Sequence, residues 1–103
     1  MMDRDKANYK LDMYGTMSEE RLMMQLLTDI RMEHRLAISK FPPFNSAHEG
    51  YAIILEELEE LKAEVFKKQE DRSYPAMKHE ATQVATMALR FILDVCEKGS
   101  ADV

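Results

Sequence analysis

Three stretches of the chain carry apolar residues at helical spacing. In the first, Met23, Leu26, Leu27, Ile30 and Ala37 stand at i, i+3, i+4, i+7 and i+14, one face of a helix. Thr16 and Glu19 have the T-x-x-E form of a capping box, in which each side chain satisfies a free amide at a helix start. The helix is therefore predicted from there to about Ser39, and Pro42 and Pro43 end it because proline cannot continue the ladder. Ser46 and Glu49 form a second box. The helix it opens near Ala47 is predicted to reach about Glu70, with Tyr51, Ile54, Leu58, Leu61 and Val65 on its apolar face. After a short turn over 71–74, Pro75 suits the first turn of a third helix. That helix carries Met77, Ala81, Val84, Ala85, Ala88, Phe91, Ile92 and Val95 and stops at Gly99, a residue suited to the position past a helix end. Short connections favour antiparallel neighbours, so the second and third helices are expected as a hairpin. The expected fold is all-α, an antiparallel bundle of three main helices. Residues 1–15 form an N-terminal arm, 16–99 the helical domain and 100–103 a C-terminal tail.

Composition narrows the setting. With 103 residues there is one small domain, which buries little enough surface that a second copy would help it. Nine methionines suit the filling of a core and a dimer seam. The net charge of −5 argues against general nucleic-acid binding, which needs a basic face. Nucleotides stay open, because a metal can carry positive charge to a phosphate. The single cysteine, Cys96, excludes a disulfide within the chain, and no apolar run is long enough to span a bilayer. The start, MMDRDKANYK, lacks the core of a signal peptide. The expected setting is cytoplasmic, without a membrane partner.

Chemistry concentrates on the second helix, ILEELEELKAEV. At about 100° per residue, Glu60 and Glu64 lie within roughly 60° of Glu57, beside the apolar ridge and not opposite it. Like charges at this spacing repel, and a solvated face relieved by Lys62, Lys67 and Lys68 is the plain alternative. A second acidic position changes the weighing. Glu80 follows Glu60 after 19 residues, and a hairpin turning near residue 72 brings the two roughly level. Glu80 then faces Glu57 and Glu60 across the helix pair. Three carboxylates at one point call for a cation, and hard oxygen ligands suit Mg²⁺ or Mn²⁺.

The pattern Glu56-Glu57-x-x-Glu60, followed by Glu80-x-x-Gln83, resembles the EExxE…ExxD signature of the all-α nucleoside triphosphate pyrophosphohydrolases, the MazG-like superfamily. The surrounding segments HEGYAIILEELEEL and HEATQVATMALRFILDV are similar to short MazG-like proteins, phage-encoded ones among them, and the resemblance covers roughly residues 17–97. It implies a helical bundle completed by oligomerisation as a homodimer or homotetramer. It implies Mg²⁺-dependent hydrolysis of a nucleoside triphosphate, often a deoxynucleotide, to the monophosphate and pyrophosphate. Glu57, Glu60 and Glu80 fall on its metal ligands and Glu56 on the first Glu of the motif. Gln83 stands where the family has Asp; its amide oxygen can ligate Mg²⁺ but adds no charge. Asp94 lies about 16 Å further along the helix and does not replace it.

On this reading Glu56 orients or deprotonates the attacking water, and Arg90 meets a phosphate or, alternatively, pairs with an acidic neighbour. Phe41, Pro42, Pro43 and Phe44 line a base pocket or simply pack. His34, His48 and His79 are surface or cap-adjacent, and the absence of any Glu-x-x-His pair removes a di-iron carboxylate bundle. Two other functional classes compete with the hydrolase: a helical binding or regulatory protein that keeps the fold without catalysis, for which Gln83 speaks, and an unrelated acidic adaptor.

Overall fold

The computed structural model describes residues 18–98, and the expected N-terminal arm, the Thr16 cap, the Gly99 stop and the C-terminal tail lie outside them. Within the described residues the regular structure is all helical, with no strand. Helix α1 spans Glu19–Lys40, α2 spans Ala47–Val65 and α3 spans Tyr74–Phe91, with a 3₁₀ turn at Gln69–Asp71 between the last two. The last turn of α3 widens into a π-helical segment, Ile92–Glu97.

Each helix start has a serine cap. Ser18, in extended conformation, accepts from Arg21 N at 3.2 Å, so α1 opens two residues later than a cap at Thr16 would place it. Ser46 accepts from Glu49 N at 3.0 Å, and the Glu49 carboxylate reaches back to Asn45 N. Ser73 accepts from Ala76 N, with Pro75 in the first turn of α3. Helix α2 stops at Val65, short of the expected Glu70. From Val65 to Arg72 every residue is exposed. Helices of this length draw most of their stability from a packed face, so without one the turn is free to unwind.

Helix α3 is the centre of the molecule. It packs against both α1 and α2, which scarcely touch each other. The α2–α3 hairpin is antiparallel, as expected. Gly50 lies against Phe91, where a Cβ would stand 2.6 Å from the Phe91 ring and 2.9 Å from that of Phe44. Only glycine permits this approach. Helix α1 runs parallel to α3, and its covered stripe is Leu26, Ile30, Glu33 and Ala37. Met23 and Leu27, expected on the apolar face, are exposed, and so are Tyr51, Leu58 and Val65 of α2. The apolar faces are wider than one neighbour covers, because within the chain each of these helices meets one neighbour and not two.

The deepest side chains of α3 are polar: Thr86, Arg90 and Asp94, one turn apart. Thr86 returns its hydroxyl to Thr82 O at 2.8 Å. Arg90, 2% exposed, donates through Nε to Asp94 Oδ2 at 3.0 Å, through Nη1 to Ala37 O at 3.3 Å, and through Nη2 to Phe41 O and Pro42 O at 2.6 and 2.7 Å. Asp94 also accepts from Phe44 N, and the Phe44 ring lies 5.5 Å from the guanidinium carbon. One ion pair thus ties the end of α1 and the connecting loop to α3. The salt bridge to an acidic neighbour is the arrangement observed for Arg90.

Candidate metal centre

Carboxylate oxygens of Glu57, Glu60 and Glu80 lie within 4.8 Å of one another. The hairpin makes this meeting: Glu57 and Glu60 share a face of α2, and Glu80 stands on the adjoining turn of α3. Glu57 and Glu80 are half-buried, and Glu60 is exposed. None of His34, His48 and His79 joins the group. Three hard anionic donors at this spacing suit an oxygen-seeking divalent cation.

Burial raises the Glu57 carboxyl above its ordinary value of 4.5; the charges of Glu60, Glu80 and Glu56 push the same way, and His79 pulls against them. Glu57 therefore holds its proton more tightly in the fold than in the unfolded chain. Its contribution to metal-free stability is complete below 4.5 and is lost as pH climbs through the raised value. A divalent cation held there would compete for the same oxygens, so its stabilising effect would grow over that climb. Denaturant unfolding from about pH 4 to about pH 7 checks this against Glu57→Gln. The metal-free wild type should lose stability relative to the variant as pH rises, whereas a pH-independent difference would show a carboxyl in an ordinary aqueous setting.

Beside the cluster a cavity of about 500 Å³ opens between α1 and α2, with α3 as its floor. Glu56, Glu57, Gln83 and Arg90 line it, together with Phe41, Pro42, Pro43 and Phe44 of the loop. Gln83 donates its amide to Glu33 Oε1 at 2.9 Å. A carboxylate can only accept, so this bond turns the Gln83 nitrogen to Glu33 and its oxygen away. Arg90 shares the cavity wall, but its guanidinium bonds are those to Asp94 and the three carbonyls.

Sequence reasoning missed Glu33 and Lys40, both of which line the cavity from α1. Glu33 had a signal: it is a charge inside the stripe Leu26, Ile30, Ala37, where a charged residue is rarely found without a partner. Lys40 had none, being one more cation at a helix end. No known family, curated protein or solved structure matches the chain.

Proposed function

We propose that the chain is a Mg²⁺-dependent nucleoside triphosphate pyrophosphohydrolase, acting on a deoxynucleotide or its ribose counterpart. The observation that carries this reading is the triad of Glu57, Glu60 and Glu80 beside a nucleotide-sized cavity with an apolar wall. Unaided, the carboxylates would repel a triphosphate; Mg²⁺ or Mn²⁺ on them would offset phosphate charge as the transition state forms. Glu56 is the base within the chain. It holds a water against the α-phosphorus and takes one proton as the water oxygen bonds to phosphorus. The bond to the bridging oxygen breaks, and pyrophosphate leaves. Pyrophosphate release from a panel of NTPs and dNTPs with Mg²⁺ tests the reading. Turnover of at least one is expected, and none from folded protein with metal would overturn it. A second reading, a binding or regulatory protein without catalysis, rests on Gln83, which adds no charge to the site and spends its amide on Glu33.

The active form is proposed to be a homodimer, or a tetramer built from it. Tyr51, Leu55, Leu58 and Val65 are 64%, 39%, 47% and 37% exposed. With Lys62 they stand at i, i+4, i+7, i+11 and i+14, the alternating spacing of a coiled-coil seam. Two antiparallel α2 helices set Leu55 of one copy level with Leu58 of the other, and Tyr51 level with Lys62. Leu55→Glu with Leu58→Glu should give a helical monomer in analytical ultracentrifugation where the wild type sediments as a dimer or larger. A monomeric wild type at tens of micromolar would mean that the seam is covered by the chain itself or left bare.

A further inference from the structure

The cavity has a direction, set by one interval repeated on its three walls. From Glu33 to Lys40 on α1, from Glu49 to Glu56 on α2, and from Gln83 to Arg90 on α3 the separation is seven residues. Each is two helical turns, about 10.5 Å along the axis, and returns to nearly the same face. Because α1 and α3 run parallel and α2 runs against them, these intervals coincide in space. One end is acidic, with Glu33, Glu56 and Glu57. The middle is apolar, with Leu36, Ile53 and Met87. The loop end carries Lys40, Asn45 and Glu49.

At the loop end the bonding capacity is unevenly spent. Arg90 is engaged by Asp94 and three carbonyls. Glu49 gives one oxygen to Asn45 N. Among the described residues the Lys40 ammonium has no ion-pair or hydrogen-bond partner, and neither has the Asn45 side-chain amide. An ammonium can only donate. Whatever meets Lys40 must therefore present an acceptor.

We infer that Lys40 is a specificity-determining residue, donating to a ring oxo group at the far edge of a nucleobase held in the apolar middle of the cavity. The inference rests on the proposed function, which puts the phosphates at the acidic end. A nucleoside reaching from Glu57 past Met87 then ends at the loop, and its outer edge meets Lys40, with Asn45 beside it. A guanine or thymine edge offers an oxo acceptor there, and adenine offers none. Lys40 is exposed, so its bond competes with water and the preference is modest, about tenfold.

The experiment compares kcat and KM for dGTP, dTTP and dATP in the wild type, Lys40→Met, Lys40→Arg and a surface control, Lys78→Met. Mn²⁺ binding to each protein is followed in parallel. The expected wild type favours dGTP and dTTP over dATP. In Lys40→Met the KM for the two oxo bases should rise about tenfold, with dATP and Mn²⁺ affinity unchanged. Lys40→Arg should restore most of the preference, and Lys78→Met should match the wild type. Turnover without a base preference, or a preference that survives Lys40→Met, overturns the assignment of Lys40 and leaves the hydrolase reading standing. Mn²⁺ binding without turnover of any nucleotide overturns the hydrolase reading, and the role of Lys40 falls with it.

Discussion

Arg90→Met should destabilise the protein by about 3–5 kcal/mol, the usual result of removing one member of a buried ion pair. In a domain of this size that lowers the melting temperature by on the order of 20 °C. The cause is what stays behind. Asp94 keeps a buried charge without its guanidinium, and the carbonyls of Ala37, Phe41 and Pro42 lose their donor. Arg90→Lys keeps the charge but not the fork that reaches four acceptors, and should fall between the two. Arg90→Met with Asp94→Leu should recover part of the loss, because no charge is then left buried. Thermal melts followed by circular dichroism read all three. The same series separates the two roles open to Arg90. A residue that only met a phosphate would leave the melting temperature where it was and raise KM.

The second large effect belongs to the carboxylates. Glu57→Gln with Glu60→Gln should abolish specific Mg²⁺ binding and cut pyrophosphate release by roughly 10³-fold or more, since a metal supplies several kcal/mol of charge stabilisation and each 1.36 kcal/mol is tenfold. Metal-free stability should hold or rise by a few tenths of a kcal/mol, because repulsion among Glu57, Glu60 and Glu80 is relieved. Titration calorimetry with Mg²⁺ and a thermal melt without it read the two effects separately. Unchanged Mg²⁺ affinity in the double variant would remove the site.

The helix count, the hairpin and the meeting of Glu57 with Glu80 are all legible in the sequence, because each depends on spacing within one helix or across one short turn. What was not legible depends on how many neighbours a helix has. Periodicity marks an apolar face but not how much of it is covered, so Met23, Leu27, Tyr51 and Leu58 lie on the expected faces and are exposed within the chain. The end of α2 at Val65 carries no glycine or proline; the helix stops where its packed face stops. Arg90 is the sharpest case. Its neighbour Asp94, one turn on, was visible in the sequence, but the carbonyls of Ala37, Phe41 and Pro42 come from a segment about fifty residues away. Glu33 stood out as a charge inside an apolar stripe, but its partner Gln83 was hidden, fifty residues further along the chain.

That difference in range also orders the folding of the chain. The α2–α3 hairpin joins neighbours across a short turn, and closing such contacts is entropically cheap. Helix α1 is recruited through the Arg90 clamp across a far longer loop, so it should dock last and leave first. Hydrogen exchange would then find two levels of protection, with α1 amides opening below the energy needed to unfold the hairpin. In the partly opened form Glu57, Glu60 and Glu80 still face one another, while the cavity beside them has lost a wall. A cation held by the three carboxylates would therefore outlast a nucleoside held in the cavity, and refolding would restore the cation site with the hairpin and the cavity only when α1 docks.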